Sequence, residues 1–265
     1  MVDYPTKVCV RRPRLCYFRV MRGYESSTFG DRSAQSYDAW ASEQLDTAGT
    51  VVRLTELAGP GPVLELGIGT GRVALGLLER GIAVHGVDAS KAMVARLRAK
   101  PGGDQIPVTI GDFSELPVDG SFSLVFVVAS TFYQLQSQEA QIRCVQNVAR
   151  RLQPGGVFVV DAFMLDAARF PGNQGMRITA VDSDRLEVWF MQLDPAEQRL
   201  LCQRVAFTER ETQLVPIPFR YAWPSELDLM ARLAGLRLRE RAGGWRGEPF
   251  AATSRRHLSI YELPA

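Results

Sequence analysis

The sequence has few residues that bind metals or form disulfides: four cysteines and two histidines among 265 residues, with no CxxC pair. Zinc sites and disulfide frameworks need clustered ligands or paired cysteines, so this scarcity predicts a metal-free protein with reduced thiols in the cytoplasm. Long apolar runs are missing too, because Leu124 to Ala129 is far too short to cross a bilayer. No signal-peptide pattern opens the chain. We therefore expect no membrane partner.

An excess of one charge sign is also lacking, because the formal net charge is only +2. Basic residues gather at the N-terminus, where residues 1–23 hold six of them against one acid, so the remainder is mildly acidic. A nucleic-acid platform presents a basic face, so we expect no nucleic acid as partner. Residues 1–25 show no hydrophobic period, and we predict that they form a disordered extension. A targeting or anion-binding arm is the alternative.

Apolar strands alternate with amphipathic helices through the middle of the chain. A first helix is predicted over residues 33–57, where apolar residues recur near helical spacing. The strands predicted after it cover residues 63–66, 83–87, 108–111, 124–129 and 157–162. The helices between them cover residues 71–80, 90–100 and 139–152. Repeated βα units of this kind predict an α/β fold with a parallel, doubly wound sheet.

The pattern changes after Asp166, where strand-like segments follow one another with little helix between them. They cover residues 176–181, 186–193 and 200–208. We predict an antiparallel insertion of about three strands within residues 167–223. A helix over residues 225–234 and a closing strand pair over residues 236–241 and 257–263 would complete a domain spanning residues 26–265.

A glycine-rich loop marks the point where the first strand passes into the first helix. The residues that alternate there are Glu65, Gly67, Gly69 and Gly71. Glycine lets the backbone approach a ligand closely, and the following helix N-terminus favours an anion. Residues 69–74 also fit the dinucleotide pattern GxGxxG/A, with Asp88 near the place of a ribose-binding acid. An NAD(P)-dependent Rossmann oxidoreductase is therefore an alternative, although it does not require Asp112 after the third strand.

Five short motifs resemble those of class I S-adenosylmethionine-dependent methyltransferases of the small-molecule type. They are SYD (36–38), VLELGIGTGR (63–72), GVDAS (86–90), GDFSELP (111–117) and LQPGG (152–156). The insertion is similar to that of amino-sugar N-methyltransferases and glycine/sarcosine-type enzymes. The resemblance implies a Rossmann-like seven-stranded sheet and S-adenosyl-L-methionine as cofactor. It also implies transfer of a methyl group to nitrogen or oxygen of a small molecule, such as a natural-product or sugar intermediate.

The resemblance further implies a set of cofactor-binding residues. Glu65, Gly67 and Gly69 would hold the amino-acid end of the cofactor, and Asp88 would accept hydrogen bonds from the ribose hydroxyls. Asp112 would bind the adenine amino group. The whole expected set is Tyr37, Glu65, Gly67, Gly69, Gly71, Asp88, Ala89, Met93, Asp112, Phe113, Ala129 and Ser130.

Several of these residues have more specific expected positions. Phe113 would offer a backbone N–H to the adenine, and Met93 would pack against the ring. Ala129 and Ser130 would pass beneath the sulfonium, and Tyr37 would close over it. For Met93 and Tyr37, plain core packing is the alternative.

Methyl transfer asks the protein mainly for positioning and a dry cavity, because the cofactor carries the activated group. Three residues are candidates for a catalytic role. His257 is the possible base, since an unperturbed histidine titrates near neutrality. Asp161 could bind or deprotonate an acceptor, and Tyr133 follows the fourth strand. Structural roles are the alternatives, such as His257 opening the final hairpin and Asp161 capping a loop.

A non-catalytic alternative is also open for the whole chain. The fold could serve as a cofactor-binding assembly protein, with the insertion as a dimer surface. The expected oligomeric state is a monomer or a homodimer.

Overall fold

The structure is a computed structural model that describes Met21 and residues 23–265. The disorder predicted for residues 1–25 thus falls largely outside the described residues. The described helices are α1 (Thr28–Ser33), α2 (Tyr37–Gln44), α3 (Thr47–Leu57), α4 (Ala74–Leu78), α5 (Lys91–Arg98), α6 (Gln138–Arg151) and α7 (Pro224–Leu233). None of them is long and apolar enough to cross a membrane.

The strands of the described chain form two sheets. In chain order they are β1 (Val63–Leu66), β2 (Val84–Asp88), β3 (Val108–Ile110), β4 (Phe122–Val127), β5 (Leu152–Phe163), β6 (Gln174–Val181), β7 (Arg185–Asp194), β8 (Arg199–Thr208), β9 (Thr212–Arg220), β10 (Arg237–Ala242) and β11 (Arg256–Glu262). The larger sheet has the order β10-β11-β5-β4-β1-β2-β3, and the smaller one the order β6-β7-β8-β9.

The seven-stranded sheet confirms the predicted α/β architecture. Strands β1 to β5 are parallel to their neighbours, whereas β11 runs antiparallel to β5 and to β10. Every residue of β1 and β4 is buried, as helices covering both faces of a parallel sheet require. The carboxyl ends of β1 to β5 therefore meet along one edge, where ligands bind in open α/β sheets.

The insertion has four strands rather than the expected three. The missed strand, β9, contains Pro216 and Pro218, and proline argues against a central strand because it cannot donate to a ladder. These prolines pair with Gln203 and Leu201 of β8, and β9 lies at the edge of its sheet. Because the prolines are two residues apart, both backbone nitrogens point to the same side, away from β8. An edge strand tolerates this arrangement.

The single helix predicted over residues 33–57 is divided into α2 and α3, and the unpredicted α1 precedes them. The chain turns between α1 and α2, and Leu45 is extended between α2 and α3. Asp46 then caps α3, because its Oδ1 accepts a hydrogen bond from the Gly49 backbone N–H at 2.9 Å. Helical spacing across the region concealed these breaks, and α1 packs against α5 and β9.

Two apolar clusters cover the two faces of the main sheet. Leu64 and Val125 belong to the cluster that also contains residues of α6, α7 and the insertion. Val63 and Leu124, one position earlier in each strand, belong to the other cluster with α3 and α4. Successive residues of a strand point to opposite faces, so each strand anchors both layers. This double burial holds the loops at the carboxyl edge in place.

Candidate active site

The glycine loop between β1 and α4 wraps closely around the end of β2. The backbone N–H groups of Gly67 and Ile68 both donate to the Val87 carbonyl, at 2.8 and 3.0 Å. A Cβ atom added to Gly69 would meet only the Gly67 carbonyl oxygen, 3.9 Å away. At Gly71, an added Cβ would lie 2.2 Å from Leu97 Cδ1. Gly69 therefore borders open space, whereas Gly71 allows close packing against α5.

Asp88 ends β2 and ties two loops together. Its Oδ2 accepts a hydrogen bond from the Gly69 N–H at 2.7 Å, and its Oδ1 accepts one from the Ser90 N–H at 2.8 Å. Burial raises the pKa of Asp88 above its ordinary value. Both carboxylate oxygens keep further lone pairs, so the group can also accept from a ligand.

Glu65 is only 2% exposed, and no described group hydrogen-bonds to its Oε2. Burial raises the pKa of Glu65 to about 8. A buried carboxylate oxygen without a donor is costly, so a cationic donor at this position would relieve the penalty. The donor that fits best is an ammonium group.

A cavity of about 370 Å³ opens beside this loop, and we call it the glycine-loop cavity. Predicted residues on its wall are Tyr37, Gly67, Gly69, Asp88, Ala89, Met93, Asp112 and Phe113. The structure thus brings eight of the twelve expected cofactor residues together. Met93 and Phe113 supply the apolar surface that a flat aromatic ring needs, beside the carboxylate of Asp112.

Tyr37 is held at the cavity by its neighbour in the chain. The Thr70 hydroxyl donates to Asp38 Oδ1 at 2.5 Å, and Lys100 Nζ lies 2.8 Å from Asp38 Oδ2. Asp38 therefore fastens α2 to the glycine loop. The sequence motif pointed to Tyr37 but not to this anchoring role of the following residue.

Sequence reasoning missed part of the wall that precedes α2. Tyr24, Phe29 and Gly30 line the glycine-loop cavity, as does Met21. Burial raises the pKa of Tyr24 to about 12, and its hydroxyl has no partner in the described chain. These residues lie in or beside the extension predicted over residues 1–25, where no periodic signal marked them. The end of that segment thus contributes to the site.

A second cavity, of about 1080 Å³, lies between the main sheet and the insertion. We call it the tryptophan cavity, because Trp40, Trp189 and Trp223 line it. Trp40 packs between Tyr37 and Trp189, with ring centroids 5.8 and 6.4 Å away. The Tyr37–Trp40 pair therefore separates the two cavities, and a group passing between them would move past these rings.

Ala129 and Ser130 line the tryptophan cavity rather than the glycine-loop cavity. Both have left-handed backbones, with φ of 55° and 63°. Such conformations cost about 1–3 kcal/mol each when the residue is not glycine, and they persist where surrounding contacts impose them. Asp161 imposes this one, since its Oδ2 accepts from the Ala129 N–H at 2.9 Å and its carbonyl from the Ser130 N–H at 3.0 Å.

The three expected catalytic side chains do not line either cavity. Asp161 is buried and binds Arg256 through both oxygens, at 3.0 and 2.8 Å. His257 is fully buried, and burial lowers its pKa to about 4. Its Nε2 lies 3.2 Å from the Tyr133 hydroxyl, which donates to the Ala222 carbonyl at 2.7 Å. All three groups are therefore buried and engaged with other groups of the chain.

Comparison with known proteins decides which family this site belongs to. A methyltransferase domain model matches residues 63–156, the segment from β1 into β5. The cypemycin N-terminal methyltransferase of Streptomyces sp is 31% identical over 246 residues, covering 90% of this chain and 98% of that protein.

The chain belongs to the S-adenosylmethionine-dependent methyltransferases.

Solved structures show the same fold around the methyltransferase site. The CcbJ methyltransferase from Streptomyces caelestis superposes with a TM-score of 0.84 at 34% identity, covering 91% of this chain and all of that one. The sugar N-methyltransferase KedS8 from Streptoalloteichus sp ATCC 53650 gives 0.65 at 20% identity, over 93% and 100% of the two chains, and shares the fold. These matches favour the methyltransferase over the oxidoreductase alternative.

The glycine-loop cavity of the methyltransferase fits S-adenosylmethionine by its own chemistry. Glu65 is buried next to the glycine loop and is not among the residues that line the cavity, and its unpartnered Oε2 suits the ammonium of the methionine part. The open side of Gly69 leaves room for that part of the cofactor. Asp88 has the acceptor capacity that a ribose needs, and Met93 with Phe113 provides an apolar wall for adenine. No group of three or more metal-ligating side chains occurs among the described residues.

Proposed function

We propose that this methyltransferase methylates an amine nitrogen of a natural-product intermediate, which binds in the tryptophan cavity. The observation that carries this proposal is the composition of the cavity wall. Its ionisable side chains within the described chain are Asp166, three arginines and the buried thiol Cys202. The carboxylate of Asp166 accepts a hydrogen bond from the Ala168 N–H at 3.2 Å.

This wall suits an amine better than a hydroxyl. A hydroxyl or phenol acceptor gains from a general base, whereas an amine only has to be unprotonated when it attacks. Burial raises the pKa of Cys202 to about 12, so its thiol stays protonated. Arginine does not act as a base in proteins. The relatives support the same acceptor atom, because the cypemycin enzyme is an N-terminal methyltransferase and KedS8 is a sugar N-methyltransferase.

Bound S-adenosylmethionine would supply an activated methyl group and a good leaving group. The chain's own contribution is to hold both partners and exclude water. Asp88, Asp112 and Glu65 would bind the cofactor, as the family resemblance implies. Tyr37 and Trp40 would orient the acceptor amine at the boundary between the cavities.

Asp161 takes a positioning role in this proposal. It holds Ala129 and Ser130 in the strained conformation that shapes the wall of the tryptophan cavity. His257 at the start of β11 and Tyr133, which packs on Phe163 at the end of β5, would stabilise these strand ends through their mutual contact. The predicted absence of a nucleic-acid partner, the cytoplasmic location and the monomeric or homodimeric state stay predictions.

Mass spectrometry of acceptor libraries tests the proposal directly. The protein is incubated with S-adenosylmethionine and with peptides, amino sugars and phenols, and S-adenosylhomocysteine is measured beside the acceptor mass. We expect methylated amines and unchanged phenols, with product lost in Asp88→Ala. Methylation at oxygen, or tight cofactor binding without any methylated acceptor, would contradict the proposal. The second result would favour the non-catalytic alternative.

A further inference from the structure

Three arginines surround the tryptophan cavity without a carboxylate partner in the described chain. Arg169 ends a short 3-10 helix after β5, Arg177 lies in β6, and Arg255 directly precedes β11. None of the three takes part in a salt bridge or a side-chain hydrogen bond among the described residues, and all are exposed. By contrast, Arg185 pairs with Glu187 in the same insertion.

The carboxylate on this wall does not neutralise the arginines. Asp166 Oδ1 accepts a hydrogen bond from the backbone N–H of Ala168 and so caps the 3-10 helix that carries Arg169. The wall therefore has three positive charges against one negative charge, although the protein as a whole is nearly neutral at +2. This local excess favours an anionic group in the cavity.

An independent observation points to the same chemistry. The indole Nε1 of Trp189 is buried and has no hydrogen-bond partner in the described chain. Indole nitrogen can only donate, and guanidinium groups also only donate. The buried wall group without a partner and the three guanidinium groups are thus all donors, and a buried donor left unpaired is costly. A ligand that completes this cavity must bring acceptor oxygens.

The rest of the cavity defines the body of that ligand. Phe163 and Phe219 meet edge to face with centroids 5.4 Å apart, and Trp40 lies beside Trp189. Such surfaces hold flat or branched apolar groups. The arginines come from segments at the rim, so the charged end of a ligand would face outward.

We propose that the acceptor carries an anionic oxygen group, a carboxylate or a phosphate, on an apolar body, and that Arg169, Arg177 and Arg255 bind this group. The inference rests on the proposed function, because it takes the tryptophan cavity as the acceptor site. A guanidinium can donate two parallel hydrogen bonds to a carboxylate or phosphate, which gives orientation as well as attraction. The arginines would thus hold the acceptor with its amine toward Tyr37 and Trp40.

A matched pair of fluorescent dyes tests the inference without needing the natural acceptor. The dyes 1-anilinonaphthalene-8-sulfonate and N-phenyl-1-naphthylamine share one aromatic skeleton, and only the first carries an anionic group. Both are titrated into the full chain saturated with S-adenosylhomocysteine. Replacing all three arginines by glutamine should weaken binding of the sulfonate dye at least about tenfold and leave the neutral dye unchanged within about twofold.

Two further variants make the dye experiment specific. Arg239→Gln removes an exposed arginine of β10, and it should leave both dyes unaffected. Trp189→Phe keeps the apolar shape and removes the unpartnered donor, so it should weaken the sulfonate dye alone, by about threefold. Unchanged binding of the sulfonate dye after loss of the three arginines would overturn the inference. Equal weakening of both dyes would also overturn it, because it would indicate a collapsed cavity.

Competition then separates the two possible anionic groups. Phenylacetate and phenyl phosphate are compared as displacers of the sulfonate dye, with benzyl alcohol as the neutral control. Displacement by either anion at concentrations where benzyl alcohol is inactive supports the inference, and the stronger anion identifies the group. Equal displacement by benzyl alcohol would overturn it. Because no methyl transfer is measured, an error in the proposed acceptor atom would not alter these results.

Discussion

The glycine-loop cavity and the tryptophan cavity are built in opposite ways. The first takes most of its predicted residues from the ends of β1, β2 and β3, within residues 65–113. The second draws Trp40, Phe163, Trp189 and Arg255 from segments spread over most of the chain. A cofactor common to the whole family can be bound by one local motif. The proposed acceptor site is formed instead by residues that only the fold brings together.

The two cavities also differ in how their polar groups are satisfied. In the glycine-loop cavity, Asp88 already holds two backbone N–H groups, and Asp112 Oδ1 accepts from the Ser114 N–H at 2.7 Å. In the tryptophan cavity, the Trp189 indole and three arginines have no partner in the described chain. Each cavity thus has a buried group that awaits a partner on its wall, Tyr24 Oη in the first and Trp189 Nε1 in the second. The carboxylates of the first cavity are already held by backbone N–H groups, whereas the arginines of the second are not held by any described group.

Asp88→Ala gives the largest effect that separates the two cavities. The variant loses two backbone anchors and the expected ribose acceptor, so affinity for S-adenosylhomocysteine should fall at least about 100-fold. Binding of the sulfonate dye should stay near the wild-type value. Isothermal titration calorimetry measures both ligands, with the exposed Asp104→Ala as the matched control. Wild-type cofactor affinity in Asp88→Ala would show that the cavity is wrongly assigned.

Substitutions of glycine sharpen the contrast within the loop itself. In Gly71→Ala the new Cβ would clash with Leu97, so the free energy of unfolding should fall by about 3 kcal/mol. Gly81→Ala has a similar φ of 77° but no neighbour within 4 Å, and it should lose only about 1 kcal/mol. Urea unfolding compares the two variants.

Gly69→Ala should act on the cofactor rather than on stability. Its Cβ would enter the glycine-loop cavity instead of the core, so S-adenosylhomocysteine affinity should fall about tenfold while unfolding changes little beyond backbone strain. Calorimetry and urea unfolding on the same sample measure both quantities. A Gly69→Ala variant that unfolds more easily than Gly71→Ala would refute this division of roles.

Glu65 should make the stability of the cofactor-free protein depend on pH. Its pKa is raised to about 8 in the folded protein, so the folded state binds more protons than the unfolded state between pH 4.5 and about 8. The folding constant should therefore fall as pH rises, by up to about tenfold per pH unit. Glu65→Gln should remove this dependence of the folding constant on pH. Bound S-adenosylhomocysteine should reduce it in part. Chemical unfolding from pH 5 to 8.5 checks it, and identical slopes in both proteins would contradict the burial argument.

His257 should have the smallest effect on the reaction. Since burial lowers its pKa to about 4, it is neutral at the pH of the assay, and it does not line the tryptophan cavity. With an amine acceptor found by the library screen, His257→Asn should keep the wild-type pH dependence of kcat within about twofold between pH 6 and 8. If the fall of kcat near neutral pH were present in the wild type and absent from the variant, His257 would be the base.

Local patterns predicted most of the main sheet and eight residues that line the glycine-loop cavity. β1 and β4 appear as short, largely apolar runs because both of their faces are buried, and the alternating glycines mark the loop between strand and helix. Hydrophobic period also predicted three of the four insertion strands. The fourth was missed because its prolines are tolerated only at a sheet edge, and strand order cannot be read from local composition.

The sequence by itself thus determined the cofactor and the family, because those depend on residues close together in the chain. Only the tertiary structure decided the acceptor side. In the folded chain His257 is buried in β11 beside β5, and Asp161 is paired with Arg256. The fold also brings the unpartnered Trp189 indole and three arginines to one cavity. The physical reason is that burial and hydrogen-bond partners arise from long-range packing. The sequence gives the chemical type of each side chain, whereas the fold determines which groups surround it.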